Sequence, residues 1–212
     1  MGRLRRKKGL LEKLLEKDNY LVKNPVEYKG KWKDIFDKDS LHIELGTGKG
    51  QFITTLAERN GNVGYIGVEK IADVLFQAVK KAEAKELNNI KFLLFNVNEI
   101  ENIFEENEVD RIYINFCDPW PKKRHAKRRL TYKEFLSKYK KILKVNGEIH
   151  FKTDNERLFE FSLNEMSEFG LELRDISLNL YRDGDLDTVK TEYEEKFISQ
   201  GKPIYFVRAI IK

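Results

Sequence analysis

A chain of 212 residues, 41% of them hydrophobic, is long enough for one α/β domain that buries roughly 70% of its unfolded surface unaided, and too short for two. Its single cysteine, Cys117, excludes an internal disulfide framework and a Cys-rich zinc cluster, which points to a reducing, cytoplasmic setting. The net charge of +5 is segregated: RLRRKK at 3–8 and KKRHAKRR at 122–129 hold eleven basic residues and no acid, and without them 29 Lys and Arg face 35 Asp and Glu, a pattern that points to a polyanionic partner.

In chain order, the first basic window is followed by GLLEKLLEKDNYLV, with Leu10, Leu11, Leu14 and Leu15 at helical spacing, so residues 1–23 read as a short amphipathic arm. Glu12 and Lys13 interrupt the leucines too early for a signal-peptide core, and no apolar run approaches the ~18 residues of a membrane span. Pro25 and Gly30 punctuate a loop that Trp32 anchors. Residues 1–33 are therefore predicted as a basic arm and loop, and residues 34–212 as the compact domain.

Leu41–Leu45 is a short apolar strand ending in the turn GTGKG and a helix with Phe52, Ile53, Leu56 and Ala57 on one face. Glycine is required where the backbone takes φ > 0 or passes close to a ligand, and a Gly-rich strand-to-helix turn is the usual seat of a nucleotide-like cofactor. Strands at Gly64–Val68, Lys91–Phe95, Arg111–Phe116 and Gly147–Lys152 alternate with helices, and Ile176–Leu180 and Ile204–Ile211 form a last strand pair. Such alternation implies right-handed crossovers and a mostly parallel sheet whose ligands bind beyond the carboxyl ends of its strands. Thr131 with Glu134, Thr153 with Glu156 and Thr191 with Glu194 have capping-box spacing.

The residues after each strand carry the chemistry. Glu44 precedes Gly46, Gly48 and Gly50, and Glu69 follows 25 residues later, near the spacing at which an acid binds ribose hydroxyls. A dinucleotide fingerprint wants glycine at 51, where this chain has Gln. G-x-G-x-G after an acid suits a cofactor without a pyrophosphate, such as S-adenosylmethionine. Asn96 either reads an adenine edge or caps the next turn. The stretch NFCDPWP at 115–121 joins a proline-stiffened backbone, the acceptor Asp118 and a stacking face, Trp120, directly to the second basic window. Cys117 lacks an activating neighbour and reads as a packing residue rather than a nucleophile. His42, His125 and His150 show no metal-ligand spacing, so no metal is predicted.

With HIELGTGKGQF, YIGVEK, INFCDPWPKKRHAKRRLT, HFKTDN and TEYEEKF in order, the chain resembles the bacterial tRNA (guanine-N7)-methyltransferases, the TrmB family, over roughly residues 24–206. The resemblance implies a class I methyltransferase fold, Rossmann-like, with a seven-stranded, mostly parallel sheet flanked by helices and one antiparallel strand. It implies S-adenosylmethionine as cofactor and a guanosine of the tRNA variable loop as acceptor, in a monomer or homodimer. Carried over by position, the cofactor contacts fall on Glu44, Glu69, Asn96 and Asp118, and the catalytic carboxylate on Asp118. Substrate contacts fall on Lys122, Asp154, Thr191, Glu192, Tyr193 and Glu194, and RNA contacts on Arg124, His125, Lys127, Arg128 and Arg129. Asn96 and Cys117 stand where the family usually has Asp and Ser. The competing readings are a non-catalytic RNA-binding protein that keeps the fold and a Rossmann oxidoreductase, the latter weakened by Gln51.

Overall fold

The computed structural model describes residues 9–182 and 188–212, so the basic window at 3–8 lies outside the described residues. The described residues form seven strands: β1 Ser40–Leu45, β2 Val63–Glu69, β3 Ile90–Leu94, β4 Val109–Asn115, β5 Leu143–Thr153, β6 Glu172–Ser177 and β7 Tyr205–Ile210. They form one sheet in the order β3-β2-β1-β4-β5-β7-β6. Only β7 runs against the rest, pairing antiparallel with β5 and β6, which is the architecture implied by the resemblance. The chain order reverses at β1, flanked by β2 and β4, and this switch point opens a crevice beyond the strand ends.

Seven helices complete the described fold: α1 Leu10–Leu15, α2 Trp32–Phe36, α3 Gln51–Arg59, α4 Ala72–Ala84, α5 Lys133–Ile142, α6 Glu156–Glu168 and α7 Glu192–Ser199. Alternate residues of the central strands feed two cores. Leu41, Ile43, Leu45, Ile112, Ile114 and Phe151 pack with Leu136, Tyr139 and Leu158 of α5 and α6. Tyr65 and Phe92 pack with Ile53 of α3 and Leu75, Ala78 and Val79 of α4. No described helix is long and apolar enough to cross a membrane.

The N-terminal segment joins the second core. Of the four α1 leucines, Leu14 is fully enclosed, and Leu21 is buried with it among the residues of α4 and β3. Val22 N–H donates to Phe92 O at 3.0 Å and Phe92 N–H to Tyr20 O at 2.7 Å, so this stretch covers the outer edge of β3. Trp32 is buried and its Nε1–H donates to Ile103 O at 2.6 Å.

Two predicted capping boxes are not formed. Thr131 Oγ1 pairs instead with the buried Ser162 Oγ at 2.7 Å, and α5 has Tyr132 at its N-cap position with no side-chain cap, its Lys133 N–H served by Glu165 from α6. Thr153 is the last residue of β5, paired with Tyr205, so α6 begins later and Asn155 caps it through Leu158 N–H at 2.9 Å. The third box forms as the spacing predicts. The strand predicted at 176–180 instead runs from 172 to 177. As an edge strand bearing Glu172, Arg174 and Asp175, it is held by β7 and needs no apolar run of its own.

Leu14→Ala is expected to lower unfolding free energy by about 2–4 kcal/mol in urea titration, as for other enclosed leucines. A loss below about 0.5 kcal/mol would show that α1 is not docked.

Candidate active site

A cavity of about 860 Å³ fills the crevice at the carboxyl ends of β1, β2, β3 and β4. The glycine turn forms one wall. Gly46 and Thr47 N–H groups both donate to Val68 O, at 2.9 and 3.1 Å, which folds the turn back over the end of β2. Gly46 and Gly48 have φ of 79° and 58°, and a Cβ on Gly46 would meet nothing while one on Gly48 would graze only the Gly46 carbonyl at 4.0 Å. Their missing side chains leave room for a ligand. Gly50 differs: a Cβ there would lie 2.5 Å from the Ala78 Cβ, so this glycine lets α3 approach α4.

Glu44 lies under the turn, 2% exposed. Thr47 Oγ1 donates to one oxygen at 2.6 Å and Asn115 Nδ2 to the other at 2.9 Å. Burial raises the carboxyl to about 7, against the opposing pull of those two hydrogen bonds and the Lys152 charge. Glu69, at the end of β2, accepts from Gly48 N–H at 3.2 Å and from Lys70 and Ile71 N–H at 2.9 and 3.0 Å. Asn96 caps the following turn, its Oδ1 accepting from Asn98 N–H at 3.1 Å, so of the two sequence readings the cap is formed. Its N–H₂ group keeps no partner among the described residues and its side chain lines the cavity.

Beyond β4 the backbone is strained. Phe116 and Trp120 hold φ of 51° and 41°, a region that costs a bulky residue roughly 1–3 kcal/mol. Between them Asp118 is exposed at the cavity edge and has no hydrogen-bond or ion-pair partner among the described residues. The Cys117 thiol packs against the core. Burial, with the Asp118 charge adding to it, pushes the thiol up to about 12, so Cys117 carries no nucleophilic thiolate.

Lys123–Arg128 forms a 3-10 helix after the turn. His125 meets Trp120 edge to face at 5.8 Å, and the Arg128 guanidinium lies 4.8 Å over the same ring. Lys122, Lys123, Arg124, Lys127 and Arg128 are exposed. Arg129 is half-buried and donates to Pro119 O and Trp120 O.

The start of α7 closes the opposite wall. The Thr191 and Glu194 box holds it, with Glu194 N–H to Thr191 Oγ1 at 3.0 Å and Thr191 N–H to Glu194 Oε2 at 2.8 Å. Glu194 is fully buried and its other oxygen accepts from Lys152 Nζ at 2.9 Å and Tyr181 Oη at 2.7 Å. Glu192 accepts from Lys81 Nζ at 2.5 Å and lies 3.4 Å from Lys49 Nζ. Burial acts to raise Glu192, and these two ammonium groups outweigh it, leaving the carboxyl below its ordinary range. Tyr193 is exposed and stacks on Phe116 at 6.1 Å.

Of the residues singled out from sequence, Glu44, Gly46, Gly48, Gly50, Glu69, Asn96, Asp118, Lys127, Arg128, Thr191, Glu192 and Tyr193 line this one cavity. Lys122, Arg124, His125, Arg129, Asp154 and Glu194 do not. Thr47, Asn115, Phe116 and the Glu192 partners Lys49 and Lys81 were not singled out. Asn115 and Phe116 stand in the NFCDPWP stretch and Thr47 in the glycine turn, so both stretches were visible; Lys81 lies in the last turn of α4 with no local signal. No group of three or more potential metal ligands occurs among the described residues.

A protein-family model described as "Putative methyltransferase" matches residues 38–207. Proteins named tRNA (guanine-N(7)-)-methyltransferase are similar over nearly the whole chain. That of Clostridioides difficile (strain 630) is 53% identical over 205 residues, 96% of this chain and 96% of its own. That of Geobacillus sp. (strain WCH70) is 50% identical over 204 residues, 96% of this chain and 93% of its own. That of Bacillus subtilis (strain 168) is 48% identical over 204 residues, 96% of each. Among solved structures, an antibiotic-related methyltransferase aligns with TM-score 0.62 and 23% identity, over 85% of this chain and 92% of that one. A 16S rRNA (adenine(1408)-N(1))-methyltransferase with cosubstrate SAM from Catenulisporales acidiphilia aligns with TM-score 0.63 and 14% identity, over 86% and 90%; at these identities the structures share the fold.

Because the folded Glu44 carboxyl titrates higher than an unfolded one, its contribution to stability is present below pH 4.5 and lost as the pH rises through about 7. Glu44→Gln, which cannot ionise, is expected to gain on the parent by up to about 3 kcal/mol between pH 4.5 and pH 8. Paired urea titrations at the two pH values measure this, and a pH-independent difference would contradict it. Gly50→Ala is expected to destabilise by at least about 2 kcal/mol, through both the Ala78 overlap and the strained φ.

Proposed function

We infer that this chain, which belongs to the family of bacterial tRNA (guanine-N(7)-)-methyltransferases, transfers a methyl group from S-adenosylmethionine to N7 of a guanosine in tRNA. The observation that carries this reading is the placement of Asp118, uncommitted at the cavity edge, between the glycine turn and an exposed run of cations. We further propose that the acceptor lies in the tRNA variable loop and that the protein works in the cytoplasm.

The residues present fit this cofactor. Gly46 and Gly48 leave open space in a left-handed turn, Glu69 at the end of β2 would accept from the ribose hydroxyls, and Asn96 would offer N–H₂ to an adenine acceptor atom. When bound, S-adenosylmethionine supplies a methyl group on a sulfonium, already activated for displacement. Guanine N7 carries an exposed lone pair on the major-groove edge and has no proton to lose, so the chain need not provide a general base. Its task is alignment and exclusion of water.

Asp118, Asp154 and Glu192 could each accept from guanine N1–H and N2–H₂. Glu192 is held by Lys81 and Lys49, and Asp154 lies outside the cavity wall. Asp118 has neither restriction. A carboxylate there orients the base and favours the positive charge that N7 gains as the methyl arrives. Tyr193 and Trp120 offer flat faces beside it. Lys122, Lys123, Arg124 and Lys127 hold phosphates, which makes affinity fall steeply with salt.

Transfer of labelled methyl to unmodified tRNA transcripts, followed by aniline cleavage, is expected to mark one variable-loop guanosine. Cofactor binding without transfer would favour a non-catalytic RNA-binding protein. Asp118→Asn is expected to lower kcat by about tenfold or more while cofactor Kd changes less than threefold. Unchanged kcat would remove Asp118 from the chemistry.

A further inference from the structure

Arg129 is the last residue of the basic window, but its guanidinium is already engaged. Its Nε–H donates to Pro119 O at 3.1 Å and its Nη2–H to Trp120 O at 3.0 Å. These two donors form the edge with which arginine grips a phosphate bidentately, so that edge is not open to RNA. The planar face is engaged as well, 4.2 Å over the Phe161 ring of α6, and Phe161 in turn stacks on Tyr132 at 6.3 Å and 9°. The side chain is half-buried, unlike its neighbours Lys127 and Arg128.

The turn explains why a cation is needed there. Pro119 and Pro121 have no N–H, so Asp118–Pro121 is poor in local donors, while successive carbonyls at Pro119 and Trp120 point to one place and need an external one. Trp120 is also held at φ of 41°, a conformation that persists only where surrounding contacts impose it.

Resting on the methyl-transfer reading, we propose that Arg129 is a positioning residue for Asp118, locking the Asp118–Pro121 turn to α6, and not one of the residues that hold RNA phosphates. It acts on the rate of transfer through the direction of the turn that carries Asp118. Lys122, Lys123, Arg124 and Lys127 supply the electrostatic attraction for tRNA.

The two roles separate in one experiment. Methyl transfer at saturating tRNA and cofactor is measured for the parent, Arg129→Lys and Phe161→Leu, together with tRNA Kd across a salt series and cofactor Kd. Arg129→Lys keeps the charge and loses the two-pronged donor. It is expected to lower kcat about tenfold or more, leave tRNA Kd within about twofold, and leave the slope of log Kd against log salt unchanged. Arg124→Gln and Lys127→Gln are each expected to weaken tRNA binding and reduce that slope by about 0.7–0.9, the share of one phosphate contact. Phe161→Leu removes the ring under the guanidinium and is expected to lower kcat severalfold with the slope intact; it keeps the test decisive if Arg129→Lys melts below the assay temperature. Parent-like kcat in the folded variants, or tRNA Kd weakened tenfold or more in Arg129→Lys with kcat unchanged, would overturn the assignment. Absence of transfer by the parent would instead overturn the methyl-transfer reading.

Discussion

The architecture of the site depends on a buried carboxylate. Glu44 is almost fully removed from water, where an ionised group without partners is costly. It finds its partners in the two segments that shape the cavity, Thr47 in the glycine turn and Asn115 at the end of β4. Those segments are 68 residues apart in sequence and are neighbours only because β1 sits between β2 and β4. Satisfying one acid therefore sets the distance between the turn that would hold the cofactor and the strand end that leads to Asp118. A second buried pair, Lys152 with Glu194, does the same for the opposite wall, tying α7 to β5. Burying such groups stabilises little in net terms; the consequence here is geometric.

From Asn115 onward the chain does what local preference disfavours. Phe116 and Trp120 adopt left-handed backbone, and Pro119 and Pro121, on either side of Trp120, remove two hydrogen-bond donors. The contacts that sustain this come from elsewhere: Phe116 N–H donates to Lys152 O at 2.9 Å, Tyr193 stacks on the Phe116 ring and Phe197 packs against it at a tilt, and α6 and Arg129 support the far side. Strain held in this way leaves Asp118 exposed at the edge of the cavity without engaging its carboxylate.

Charge is distributed to match. Across the body of the domain cations are matched by acids: Lys17 with Glu83, Lys141 with Glu101, Lys144 with Asp110, and Arg111 and Arg208 with Glu148. Lys49 and Lys81 are drawn to Glu192 across the cavity mouth. The cations of 122–127 form no ion pair with an acid among the described residues and stay exposed. A chain of modest net charge thus presents a concentrated positive surface beside its cavity, suited to a polyanion that must be gripped near the reacting base.

Most of the fold was legible in the sequence, because buried parallel strands show as apolar runs and helices as periodic ones. The glycine turn, the acids at the ends of β1 and β2, the DPWP stretch and the basic window were legible as well, since each depends on residue types at short spacing. Edge strand β6 was misplaced because its partner, not its composition, makes it a strand. Two capping boxes failed for a related reason: Thr131 and Thr153 satisfy the local rule, but Ser162 and the β5 ladder claim them first. The same limit divides the candidate site. Residue types by themselves pointed to a nucleotide-like cofactor, a strand-end carboxylate and a concentrated basic patch. Only the tertiary structure decided that Glu194 in the first turn of α7 is buried against Lys152, that Glu192 bridges two lysines, and that Arg129 faces its own backbone, because each outcome is a competition among partners far apart in sequence.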